Sequence, residues 1–265
     1  MMYQTYEGMD IEGTVLRIEK SSIFDGDGLR TVVFLKGCPL RCKWCSTPES
    51  YQKKIQTTLD GTITYGQIMT VEDVMVEVRK DSLFYFHSGG GVTLSGGEIL
   101  AQPEFAYHIL RRSCYEGINT AIESSFNADW DKIEPILGCL DTAFVDMKLM
   151  DPERHKYYTG VDNALILSNI EKAGKERRPN MKMIIRRPLI PGVNDSKEDL
   201  TALAQFLGDL KGVDHLQLLP YHRLGTDTYR KLGMEYPLAE IEVPSEEHMQ
   251  WCKDITEKYL SLIHI

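Results

Sequence analysis

The 265-residue chain is 42% apolar and 26% charged, the balance of a soluble globular protein, which excludes disordered, collagen-like and coiled-coil readings. Thirty basic against 39 acidic residues give a net charge of −9 with no basic block to neutralise a phosphate backbone, so no nucleic-acid partner is expected. No run reaches the ~20 apolar residues of a membrane span, and Met1 to Asp10 lack a secretory pattern, so a cytoplasmic protein without membrane partners is expected.

In chain order, β-rich runs alternate with amphipathic ones, the pattern of repeated βα units around a parallel sheet. Strands are expected at 13–18 and 31–36, then a helix at 71–81 that starts from Thr70 and the acidic Glu72 and Asp73, a capping box. A strand at 91–95 and a helix at 103–115 follow, then a strand at 119–124, a helix at 129–140 and a strand at 142–148. Helix 164–175, strand 182–188, helix 196–210 and strand 215–219 come next. A last helix is expected at 245–262, opened by Ser245 with Glu246 and Glu247 at the positive end of its dipole. Turn signals lie at Gly160 and at Pro191 to Asp195. The stretch 46–65 reads as a surface excursion whose one strong feature is the hairpin dipeptide Asp60-Gly61. No repeat or linker divides the chain, so a single domain over 1–265 with a core at about 13–260 is expected.

Six cysteines are too few and too uneven for a disulfide framework. Cys114, Cys139 and Cys252 stand alone and read as small apolar fillers. Cys38, Cys42 and Cys45 form a C-x3-C-x2-C triplet directly after a strand, a spacing that lets one short loop present three thiolates to one inorganic centre. A zinc site normally closes with a fourth protein ligand, which would have to come from a lone cysteine or a distant histidine. A 4Fe-4S cluster held by three cysteines instead leaves one iron open to a substrate or cosubstrate.

The triplet, with Trp44 before its last cysteine, resembles the signature of radical S-adenosylmethionine enzymes. Within that superfamily the chain is similar to the activating enzymes of glycyl radical enzymes, the pyruvate formate-lyase activator among them. Further segments match in order: Asp25 to Arg30, Gly89 to Glu98 (GGGVTLSGGE), Asp146-Met147-Lys148, Ile185-Arg186, and Leu218 to His222 followed by Leu224-Gly225. The resemblance implies a partial (βα)6 TIM-type barrel with one 4Fe-4S cluster and S-adenosylmethionine at the carboxyl ends of its strands, the place where loops of parallel βα folds make sites. It also implies that a 5′-deoxyadenosyl radical takes a hydrogen from a glycine of a partner protein.

Carried over residue by residue, Cys38, Cys42 and Cys45 hold the cluster, and Trp44 and Ser46 line the adenine pocket. Gly96 and Gly97 admit the backbone to the methionine amino group, with Glu98 fixing the turn. Glu123, Ser124, Asp146, Met147, Lys148, Arg186 and His222 are cosubstrate contacts, Lys148 and Arg186 near the methionine carboxylate. Asp25 and Asp146 face the partner's glycyl loop. Taken singly, an Asp-x-Lys pair or a lone arginine is more often a solvated charge than a ligand.

The match departs in places. Ser46-Thr47-Pro48-Glu49 follows the triplet where pyruvate formate-lyase activators commonly have His-Asn, and looks more like the activators of diol dehydratases and aryl-acid decarboxylases. Those relatives usually insert a cysteine-rich ferredoxin-like segment that is absent here, so the electron must come from an external donor such as flavodoxin or ferredoxin. Glu123-Ser124-Ser125 replaces Asp-Thr-Asn at a monovalent-cation site, where Glu123 could still supply an oxygen. A radical S-adenosylmethionine enzyme acting on a small molecule and a metal-binding interaction module are the alternatives. The partner is expected to be pyruvate formate-lyase or a diol dehydratase-like enzyme.

Overall fold

The computed structural model describes residues 6–260 and the backbone of Ile263–His264. Strands β1 (Glu12–Ser22) and β2 (Arg30–Leu35) open the chain, followed by the short β3 (Gln56–Thr57), β4 (Thr64–Tyr65) and β5 (Gln67–Thr70). Helices α1 (Val71–Arg79) and α2 (Ser82–Ser88) lead to β6 (Gly91–Gly96), α3 (Pro103–Tyr115), β7 (Asn119–Ser124), α4 (Trp130–Leu137) and β8 (Thr142–Asp146). Then come α5 (Pro152–Thr159), α6 (Ala164–Glu176), β9 (Lys182–Leu189), α7 (Lys197–Asp209), β10 (His215–Pro220), α8 (Thr226–Lys231), α9 (Glu246–Glu257) and β11 (Ile263–His264).

The main sheet runs β11-β10-β9-β8-β7-β6-β2-β1-β5. From β2 to β10 every neighbouring pair is parallel, which gives the six βα units of a partial barrel. β1 lies antiparallel against both β2 and β5 and so extends the sheet without adding a unit.

Alternation along the strands separates two environments, because successive side chains point to opposite faces. Val92 and Leu94, Ile122, Ala143 and Val145, Met183 and Ile185, Leu216 and Leu218 belong to the main apolar core. There they meet Val74 and Val78 of α1, Ile109 and Leu110 of α3, Ile133 and Ile136 of α4, Ile170 of α6, Leu203 of α7 and Ile255 of α9. The intervening positions, Thr93 and Ser95, Glu123, Asp146, Arg186 and Gln217, are polar and bond to one another or to neighbouring loops.

Several boundaries differ from the sequence expectation. The strand expected at 142–148 ends at Asp146, and the helix expected at 245–262 ends at Glu257, with Ser261 and Leu262 outside the described residues. Thr70 closes the capping box with Asp73, and the Ser245 hydroxyl accepts from the His248 amide. Asp60-Gly61 turns the β3–β4 hairpin, with Gly61 at φ 72°. The excursion 46–65 is less superficial than its composition implies, because a 3-10 turn at Pro48–Ser50 is buried. The lone cysteines also differ: Cys252 is a buried filler, Cys139 is half-buried and Cys114 is exposed.

Candidate active site

The cysteine loop leaves the carboxyl end of β2 and is fastened by main-chain bonds to two segments. Gly37 N donates to Ser50 O at 2.7 Å, Cys38 N to Tyr51 O at 3.2 Å, Arg41 N to Thr159 O at 2.6 Å and Lys43 N to Tyr158 O at 2.9 Å. Leu40, Cys42, Trp44, Leu149, Ile190, Val193 and Tyr221 form a small apolar core of their own beneath it. Trp44 is buried and packs on Tyr158, ring centroids 6.2 Å apart.

Beside the loop, Gly97 N donates to Leu35 O at 2.9 Å and Glu98 N to Gly37 O at 2.8 Å. Gly96 sits at φ 113°, a conformation that favours glycine, and a Cβ on Gly97 would collide with the Gly37 carbonyl. These glycines are therefore demanded by the close approach of β6 to the root of the cysteine loop. Glu98 is buried, accepting from Leu100 N at 3.1 Å, Ser124 Oγ at 2.6 Å, Ser125 N at 2.8 Å and Ser125 Oγ at 2.6 Å. Four donors on one carboxylate hold the ends of β6 and β7 together.

A cavity of about 230 Å³ lies between this loop and the carboxyl ends of β6 to β10. Cys38, Cys42 and Cys45 line it, with Trp44, Ser46, Gly96, Gly97 and Glu98 beside them and Glu123, Ser124, Asp146, Lys148 and His222 across from them. Thr47, Ser50, Ser95, Ser125 and Tyr221 also line it. Each is a neighbour of a residue singled out in the sequence, and for Ser95 the strand alternation was the available signal.

Three other candidates lie elsewhere. Met147 is buried in the main core, one residue past the end of β8. Arg186 is bound below the cavity: Nε donates to Gln217 Oε1 at 2.9 Å, Nη1 to Glu123 Oε1 at 3.1 Å and Nη2 to the Phe24 carbonyl at 2.9 Å, and the guanidinium lies 3.7 Å from the Phe144 ring centroid. Asp25 accepts from the Ser22 hydroxyl in the β1–β2 turn, at the amino ends of the parallel strands.

The ionisable groups are arranged in opposed pairs. Lys148 Nζ lies 2.9 Å from Asp146 Oδ2; burial alone would lower its pKa, but Asp146, Cys42 and Glu123 outweigh burial and hold it raised. Burial pushes Glu123 upward, yet the Arg186 charge and the Ser95 hydrogen bond of 2.7 Å bring it below the usual carboxylate value. Both Glu123 oxygens are thus already engaged by protein donors, at the position the resemblance gives to a monovalent cation.

Burial raises all three thiols, Cys42 to about 12, so without a metal they stay neutral and gain ligand character only when iron displaces the proton. Among the described residues no three His, Cys, Asp or Glu side chains converge on a point that could hold a single metal ion. Three thiols that line one cavity fit a cluster, which can take three protein ligands and leave one iron open. The remaining wall offers an ammonium, carboxylates and hydroxyls, which match the carboxylate, amino and ribose groups of S-adenosylmethionine.

Residues 32–207 match the family model of the radical SAM superfamily. The chain is 37% identical to the isethionate sulfite-lyase activating enzyme of Oleidesulfovibrio alaskensis over 89% of this chain and 92% of that one. It is also 37% identical to the (2S)-3-sulfopropanediol dehydratase activating enzyme of Klebsiella oxytoca, covering 87% and 89%. The pyruvate formate-lyase-activating enzyme of Clostridium pasteurianum is 34% identical over 94% and 98%. A solved domain of the pyruvate formate-lyase activating enzyme of Bacteroides vulgatus superposes with a TM-score of 0.56 at 32% identity, covering 67% of this chain and 99% of that one. Three thiols on one cavity at the carboxyl ends of a six-unit partial barrel, and this likeness over most of each relative's length, make the chain a member of the radical SAM superfamily and, within it, of the activating enzymes of glycyl radical enzymes.

Proposed function

We propose that this enzyme activates a glycyl radical enzyme of the dehydratase and carbon–sulfur lyase kind. When bound, the 4Fe-4S cluster and S-adenosylmethionine supply a 5′-deoxyadenosyl radical, the oxidant that takes one hydrogen atom from the partner's glycine. The chain's own residues bind and orient. Cys38, Cys42 and Cys45 hold the cluster; Trp44, Ser46 and His222 frame the nucleoside; Lys148, steadied by Asp146, faces the methionine carboxylate. Glu98 and the glycine pair keep the loop and β6 in register, and Ser124 lends a hydroxyl to the wall. Arg186 and Glu123 form the floor under these groups, and Met147 anchors Lys148 by its burial. Asp25, on the turn that carries the exposed Ile23 and Phe24, serves the docking of the partner, with Asp146 at the mouth. An external one-electron carrier and a reducing cytoplasm belong to this reading, in keeping with six cysteines free of disulfides.

The observation that carries the choice of partner is the 37% identity to sulfite-lyase and sulfopropanediol dehydratase activators, together with the Ser46-Thr47-Pro48-Glu49 run. One observation favours pyruvate formate-lyase instead. The alignment with the Clostridium pasteurianum activator spans 253 residues and covers 94% of this chain, so it inserts little into this sequence, whereas that with the sulfite-lyase activator spans 288 while covering 89%. The test is electron paramagnetic resonance of the glycyl radical after anaerobic incubation with each candidate partner. A doublet on a dehydratase or carbon–sulfur lyase supports the proposal, and one confined to pyruvate formate-lyase overturns it.

A further inference from the structure

The outer side of the cysteine loop is basic in a chain whose net charge is −9. Between Arg41 and Gln56 the cations are Arg41, Lys43, Lys53 and Lys54, and the one carboxylate, Glu49, is buried against Arg17 and Lys36. Arg41, Lys53 and Lys54 are exposed. The loop pairs through Arg41 N and Lys43 N with the last residues of α5, which brings the exposed Lys156 alongside. Lys53 backs onto Gly37, at the root of the same loop.

Aromatic rings connect this face to the cysteines. Tyr157 is 67% exposed and packs on Tyr158 at 4.8 Å, which packs on Trp44 at 6.2 Å, and Trp44 immediately precedes Cys45. The Lys43 ammonium sits 3.3 Å from the centroid of Tyr157, placing positive charge at the outer end of this ring series.

We propose that the face formed by Arg41, Lys53, Lys54, Lys156 and Tyr157 is the docking surface for an acidic one-electron carrier protein. Charge complementarity selects that occupant: a concentrated positive patch on an acidic protein steers an acidic partner to one orientation and accelerates its encounter. A carrier docked there would pass one electron to the cluster that Cys38, Cys42 and Cys45 would hold, the carrier losing it and the cluster gaining it, with no bond made or broken. The proposal rests on the cluster reading above; iron and sulfide analysis of the wild type tests that reading on its own.

The test is a triple charge reversal, Lys53→Glu, Lys54→Glu and Lys156→Glu, with Lys175→Glu on α6 as a remote control. Affinity for a flavodoxin is measured by anaerobic titration at low and high salt, and cluster reduction by flavodoxin and by dithionite is followed spectroscopically. The expected result is carrier binding weakened about tenfold at low salt, with its salt dependence flattened, while the control and the dithionite rate stay at wild-type values. Unchanged flavodoxin affinity overturns the proposal. So does loss of affinity for the glycyl radical partner in place of the carrier, which assigns the face to the protein substrate.

Discussion

The two ends of the same six strands treat their inward polar groups in opposite ways. At the amino end Arg30 is buried and every donor is satisfied internally: Nε reaches Thr93 Oγ1 at 2.6 Å, Nη1 reaches Asn119 Oδ1 at 2.8 Å and Asp27 O at 3.1 Å, and Nη2 reaches Val92 O at 2.6 Å and Asn119 O at 3.3 Å. Burial lowers its pKa to about 10, which leaves it cationic at neutral pH. At the carboxyl end the thiols, Lys148 and several serines turn to a cavity. The first end closes the partial barrel, and the second keeps binding capacity free. Stability and function should therefore respond separately to substitution at the two ends.

The largest expected separation comes from Cys38→Ala, Cys42→Ala or Cys45→Ala. Each should remove the cluster and with it at least about a thousandfold of S-adenosylmethionine cleavage, since two thiolates cannot hold the cluster with one iron open. The unfolding free energy of the metal-free protein should change by only about 1 kcal/mol. Iron and sulfide assay beside urea unfolding measures both quantities, and Cys114→Ala should alter neither.

Arg30→Met should do the converse. Five hydrogen bonds disappear and buried acceptors are left unmatched, so the stability loss should reach about 3 kcal/mol or more, while the folded fraction still loads iron normally. A variant that folds with wild-type stability would show that the amino end is not the seal.

Glu98→Gln lies between the two cases, because its carboxylate joins β6 to β7 next to the cluster loop. The amide keeps one acceptor and turns a donor toward other donors, so a loss of about 2 kcal/mol is expected, together with weaker S-adenosylmethionine binding in anaerobic dialysis. Gly97→Val, in contrast, should disturb the cluster loop itself, since the added carbon meets Gly37 before it meets any ligand.

The smallest effect is a dependence on pH. Glu123 has a depressed pKa in the folded state, so the stability it contributes is fully present above the ordinary carboxylate value of 4.5 and is lost as pH falls through the lower folded value. The stability difference between wild type and Glu123→Gln should therefore be greatest near neutrality and shrink as pH falls below about 4.5. A difference independent of pH would mean that the Arg186 pair contributes nothing through charge.

Much of this arrangement was legible in the sequence. The βα alternation placed the six parallel strands, and the cysteine spacing placed the cavity. What escaped was governed by tertiary contacts. α2, α5 and α8 are short, at 7, 8 and 6 residues, and α5, which has little apolar face, is set by end capping at Asp151, Pro152 and Gly160. Arg186 was expected near a ligand, but strand parity gives only the face of a side chain. That it donates to Glu123, Gln217 and the Phe24 carbonyl together depends on neighbouring strands and the β1–β2 turn. The end of the strands at which Asp25 lies follows from the antiparallel pairing of β1 with β2, which puts its turn beside Arg186 through the Phe24 carbonyl.

The main-chain fastening of the cysteine loop has a consequence for how the metal centre is loaded. With Gly37, Cys38, Arg41 and Lys43 all donating to backbone carbonyls of adjacent segments, and with Trp44 already packed, the loop has given up its conformational entropy during folding. Ordering a residue costs roughly 1–2 kcal/mol, and a loop ordered only on metal arrival would draw that sum from the affinity for iron and sulfide. Here main-chain bonds carry that ordering without using a thiol, so the three cysteines enter the cluster as ligands alone, with loss of their thiol protons.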